Sequence, residues 1–70
     1  MPLIMAQPNT EFEIKKIGVD DKTKKHLREI GVIEGGKITL ISGTPTGVIV
    51  VVKEGRLCLD GALARKIIVA

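Results

Sequence analysis

Leu27-Arg28-Glu29-Ile30-Gly31-Val32-Ile33-Glu34-Gly35-Gly36-Lys37 is the stretch whose reading decides the fold. It admits two readings that exclude each other. Gly31 to Lys37 fits G-x-x-x-x-G-K, the spacing of a loop that cradles phosphate. Alternatively, a helix stops at Gly31, and Glu34-Gly35-Gly36 turns the chain into a strand. The phosphate loop needs Ser or Thr after its Lys to hold magnesium, and Ile38 stands there. It also needs a strand before it and a helix after it, so that helix N-terminal amides meet the phosphates. Here the pattern before Gly31 is helical and the pattern after Lys37 is that of a strand. The second reading is therefore preferred, and an NTPase is disfavoured.

Upstream, Asp20-Asp21 supplies an N-cap and negative charge at the positive end of a helix. Thr23, Leu27 and Ile30 recur at i, i+4 and i+7, a single narrow apolar stripe. Residues 21–30 are thus predicted to form a short amphipathic helix. Further upstream, Glu11-Phe12-Glu13-Ile14-Lys15 alternates polar and apolar, with Phe12 and Ile14 inward, as a half-buried strand does. Residues 2–10 read as an irregular lead-in.

Downstream, Lys37 to Ile41 alternates again, with Ile38 and Leu40 inward. Ser42 to Gly47 is a loop by composition. Val48 to Lys53 is β-branched until its final Lys and reads as a central strand. Glu54-Gly55 turns into Arg56-Leu57-Cys58-Leu59, a hairpin. Asp60 caps a short helix over Gly61 to Lys66, and Ile67-Ile68-Val69 is a last strand. The expected fold is mainly β, ordered β-α-β-β-β-α-β: a small five-stranded barrel with two short helices. Closure into a barrel would remove exposed strand edges.

Seventy residues make one domain, 1–70, near the lower size limit for a self-sufficient core. Ile, Val and Leu supply nearly all the apolar content, with Phe12 the only aromatic residue. So small a core makes a homo-oligomer a fair expectation. One Cys and one His exclude an intramolecular disulfide and a zinc-finger type site, and no cofactor is expected. No signal-peptide pattern and no membrane-span-length apolar run is present, so a soluble, cytoplasmic protein is expected.

Net charge is +3. Acidic residues interrupt the basic ones throughout, whereas a nucleic-acid footprint clusters them. Lys22, Lys24, Lys25 and Arg28 form a basic helix face that reads as solvated and partly paired. The lack of an aromatic stacking platform also argues against single-strand or RNA binding. It likewise excludes a proline-rich ligand held in an aromatic groove. His26 reads as a solvated or packing residue. Cys58 reads as a buried or half-buried small side chain. No catalytic constellation can be assembled, so no enzymatic activity is expected.

Taken together, the order from Leu27 to Gly35, then Ile38, Pro45, the Val-rich strand, Leu57-Cys58-Leu59 and the close Ala64-Arg65-Lys66-Ile67-Ile68-Val69 resembles the ferrous iron transport protein A (FeoA) family. Leu3 and Ile14-Lys15-Lys16-Ile17-Gly18 fit as well, so the resemblance covers essentially the whole chain. It implies an SH3-like barrel and a cytoplasmic, non-enzymatic accessory role in ferrous iron uptake. The partner it implies is ferrous iron transport protein B, a membrane permease with its own GTPase domain. Docking would place the protein peripherally at the inner face of the membrane. Contact candidates are Lys24, Leu27, Arg28 and Ile30 on the helix, and Thr44, Pro45 and Thr46 in the loop. The alternative is an SH3-like domain in metal-dependent transcription regulation or weak nucleic-acid binding. Two departures stand out. Glu34 replaces the family's usual Pro, which is expected to loosen the turn, and Asp60 stands where Arg is common, which changes surface charge.

Overall fold

A computed structural model describes residues 1–70. A single 3-10 turn, Leu3–Met5, precedes β1 (Glu11–Ile17), α1 (Asp21–Glu29), β2 (Lys37–Thr44), β3 (Gly47–Val52), β4 (Gly55–Asp60), α2 (Gly61–Lys66) and β5 (Ile67–Val69). The expected element order is therefore present. The five strands make one antiparallel sheet in the order β4-β3-β2-β1-β5, an SH3-like arrangement.

β1 serves two neighbours in turn. Glu11, Phe12 and Glu13 pair with Thr39, Ile38 and Lys37 of β2, whereas Ile14 to Ile17 pair with β5. The register slips at Lys15, between Ile14↔Val69 and Lys16↔Ile68. This bulge lets Ile14 and Ile17, three positions apart, both enter the core. A second slip, between Leu40↔Val50 and Ser42↔Ile49, bends β2 in the same way.

The ladder stays open between its edges, β4 and β5, and α2 joins them directly. The expected small SH3-like five-stranded fold with two short helices is thus present, its two edge strands connected through α2 rather than by a ladder. The outer side of β5 is covered by the chain start. Val69 N–H donates to the Met1 carbonyl at 2.7 Å, and Pro2 bridges Ile68.

Fifteen aliphatic residues form one core, among them Ile14, Leu27, Val32, Ile38, Val50, Ile67 and Val69. Leu3 and Ala6 belong to it too, at 0% and 5% exposure, so the lead-in is structural rather than irregular. Its 3-10 turn is closed by Ala6 N–H donating to the Leu3 carbonyl at 3.0 Å. Phe12 packs half-buried against the same cluster.

Three further expectations change. The Ser42–Gly47 segment is mostly strand, with Ser42, Gly43 and Thr44 laddered to Ile49, Val48 and Gly47, leaving Pro45-Thr46 as the turn. The next turn is Lys53-Glu54, and Gly55 already pairs with Val52. Cys58 is exposed, because β4 has no layer over the face opposite Leu57 and Leu59.

Candidate docking groove

α1 is fixed at both ends by its own sequence. Asp20 accepts the Thr23 N–H at 2.8 Å, satisfying a free amide of the first turn. The Thr23 side chain, and after it the Thr23 amide, hold the Asp20 carboxyl below the ordinary carboxylate range. At the other end Val32 N–H donates to the Leu27 carbonyl (2.8 Å) and Gly31 N–H to that of Arg28 (3.1 Å). With Gly31 at φ 98°, this is a complete Schellman stop. Leu27 and Val32, both fully buried, supply its hydrophobic contact.

The chain then makes a four-residue turn, Ile33 to Gly36, closed by Gly36 N–H donating to the Ile33 carbonyl at 3.0 Å. Gly35 in its third position has φ 88°, as a type II turn requires. Proline suits the second position of such a turn, and Glu34 occupies it here. The turn is not loosened. The Glu34 carboxylate accepts the Ile17 N–H at 3.0 Å and pairs with the Lys24 ammonium at 3.3 Å. The bonds Ile14 N–H to Gly36 carbonyl (2.8 Å) and Gly35 N–H to Ile14 carbonyl (2.7 Å) complete the stitching of turn to β1.

The Ile17 amide, and after it Lys24, hold the Glu34 carboxyl below its usual range. A carboxyl depressed in the folded state stabilises the fold above its unfolded pKa and loses that effect as pH falls through the folded value. Glu34→Gln is therefore expected to flatten the acid side of the stability profile. Urea midpoints taken at pH 7 and near pH 3 should lie closer together in the variant than in the wild type. Equal spacing in both would sink this account.

Between this turn and the ends of β2 and β3 lies a groove of about 620 Å³. Arg28, Lys37 and Lys53 give it positive charge, Glu11 and Glu54 offset part of that, and Ile33 lines it. Ile33 is 42% exposed, the one large aliphatic residue beyond Met1 and Met5 presented to solvent. The stretch that resembled a phosphate loop thus forms one wall of the groove. Its flanking elements are helix then strand, the reverse of the order phosphate binding needs.

The sequence-predicted contact residues do not converge. Arg28 lines the groove, and Ile30 is half-buried against the core. Lys24 is half-buried and engaged by Glu34. Leu27, at 0% exposure, is a core residue and offers a partner nothing, because its helix turns that side chain onto the sheet. Thr44, Pro45 and Thr46 are exposed, but at the Gly47 end of β3, whereas Gly31 approaches Val52 and Glu54 at the other end. That turn is tied to α2: Arg65 Nη2 donates to the Pro45 carbonyl at 3.0 Å and Gly61 N–H to that of Thr46 at 2.9 Å. Sequence reasoning missed Ile33, Lys37 and Lys53. The one available signal was the pair Val32-Ile33 between a helix stop and a turn, where only one of two adjacent aliphatics can face inward.

No group of three or more His, Cys, Asp or Glu side chains stands close enough to hold a metal ion. No helix is long and apolar enough to cross a membrane.

No protein of curated function matches the chain. Among solved structures it is similar to a crystal structure of an iron uptake regulatory protein (FeoA), at 23% identity and TM-score 0.88, covering 99% of this chain and 93% of that one. It is similar to the FeoA protein of Chlorobium tepidum, at 20% identity and TM-score 0.85, covering 99% of this chain and 68% of that one. A third relative is iron(II) transport protein A of Clostridium thermocellum, at 22% identity and TM-score 0.85, where 99% of this chain spans 44% of the other. These likenesses carry the fold. The FeoA domain itself matches residues 1–70, and by that whole-length match the chain belongs to the FeoA domain family.

Proposed function

We propose that this domain is a non-enzymatic accessory of ferrous iron transport. It docks through the Ile33 groove on a cytoplasmic segment of the GTPase-bearing permease, ferrous iron transport protein B. The whole-length FeoA match carries the transport reading. The names of the neighbouring structures, an iron uptake regulatory protein and an iron(II) transport protein, support it. The choice of surface rests on Ile33, an exposed aliphatic side chain held on a stitched turn amid Arg28, Lys37 and Lys53. That arrangement suits a segment pairing an apolar anchor with acidic flanks: the anchor supplies affinity, and the charges orient the encounter. Regulation would follow from tighter binding to one state of the transporter than to another.

The test is retention of the permease from detergent-solubilised membranes by the tagged domain. The wild type should retain it. Ile33→Asp, whose site is exposed and outside the core, should retain at least about tenfold less, the size of effect seen when an interface anchor is lost. Unchanged retention by Ile33→Asp would move the docking site elsewhere. No retention by the wild type would remove the proposed partner.

A further inference from the structure

The two edges of the sheet are treated differently. The free side of β5 is occupied by Met1 and Pro2. The free side of β4 has no such cover, and it carries neither Lys nor Pro, two residues that commonly block edge pairing. Its hydrogen-bonding phase follows from the hairpin. Val52 and Gly55 flank the two-residue turn and form a hydrogen-bonded pair, so by alternation Leu57 and Leu59 also direct their main-chain groups at β3. The bond from Gly61 N–H to the Thr46 carbonyl, at 2.9 Å, continues the same alternation. Arg56, Cys58 and Asp60 therefore point their N–H groups away from the sheet. Their side chains share its outer face, and all three are exposed.

We propose that two copies of the chain associate by antiparallel pairing of β4 with β4, about a twofold axis at Cys58. In that register Cys58 faces the partner's Cys58, and Arg56 faces the partner's Asp60 twice over. Opposite charges directly across a ladder stabilise it, and like charges destabilise it. Moving the axis to Arg56 would set two guanidiniums together, and moving it to Asp60 two carboxylates. An axis at Leu57 or Leu59 forms no Arg56–Asp60 pair. The charge pattern therefore selects one register. Asp60 can serve it, because only its Oδ1 is used in capping α2, by the Leu63 N–H at 2.7 Å. On the inner face, half-buried Leu57 comes opposite the partner's Leu59 and gains cover.

A single short ladder buries far less than the roughly 1,600 Å² of a standard interface, so the dimer is weak and populated towards millimolar chain. This association involves β4 and not the Ile33 groove, so it stands or falls independently of permease docking. Its test is amide hydrogen exchange on the intact chain at about 20 µM and about 1 mM, alongside sedimentation equilibrium. The Arg56 and Cys58 amides should exchange about twofold more slowly at the higher concentration, where about half of the chains are paired, whereas Leu57 and Leu59 should be protected at both. Arg56 makes no side-chain bond within the chain, so Arg56→Glu should fold normally. That variant should weaken dimerisation about tenfold or more, with Arg56→Lys retaining it. A monomer at 1 mM, concentration-independent exchange at Arg56 and Cys58, or a dimer protected on another face would each overturn the proposal.

Discussion

Gly61→Ala is expected to destabilise the domain by about 3 kcal/mol, the upper end for forcing atoms into a packed site. A Cβ on Gly61 would overlap the carbonyl oxygen of Pro45 and would sit 3.0 Å from Arg65 Nη1. Backbone lies on one side of the clash, and that backbone is pinned. The Pro45 carbonyl accepts from Arg65 and the Thr46 carbonyl from Gly61 itself. Relief would require the β2–β3 turn to retreat from α2 and surrender both bonds. Single domains of this size have total stabilities of only about 5 kcal/mol, so the variant should sit near the edge of folding. Thermal unfolding by circular dichroism should show a midpoint lower by about 15 °C. A shift of a few degrees would mean that the turn and helix are not held against each other as described.

Leu27→Ala is expected to have a comparable effect, also about 3 kcal/mol, from lost burial and the cavity left behind. Leu27 is fully buried, and its carbonyl accepts the Val32 amide that ends the helix. The substitution therefore empties the hydrophobic half of the Schellman stop and slackens the turn that carries Ile33. Ile30→Ala, at a half-buried position on the same helix, should lose about 1 kcal/mol. Urea unfolding of both variants checks the ranking. A Leu27→Ala protein with unchanged stability and lost partner binding would return Leu27 to the role of contact residue that its sequence position suggested.

Local signals in this chain were legible because their causes are local. Asp20 and Asp60 read as caps and accept amides three residues on. Gly31 reads as a helix stop and has the positive φ such a stop needs. The alternation of Phe12 and Ile14, and of Ile38 and Leu40, reads as strand and is strand. The rest depended on partners remote in sequence. Ser42-Gly43-Thr44 has loop composition but is held as strand by Gly47, Val48 and Ile49, and Gly43 leaves only 3.0 Å between a built Cβ and Val48 Cγ1. Leu3 and Ala6 enter the core in a 3-10 turn too short to show any period. Cys58 would be inside a two-layer sandwich and is outside here, because no second layer covers β4. For the groove, Arg28 was named from its place on a basic helix. Ile33 could not be, since nothing in the local pattern separates it from buried Val32.

The double service of β1 also sets how chain entropy is distributed over the fold. The β2–β3 and β3–β4 pairings each close over a two-residue turn, whereas the innermost β1–β5 pair, Ile17 with Ile67, encloses 49 residues. Measured on the unfolded chain, closing the longer loop costs about 3 kcal/mol more than closing either hairpin. Among the pairings of the five strands, the one between β1 and β5 is therefore entropically the most expensive. Burial of Leu3, Ile67 and Val69 beneath that pairing is what offsets it.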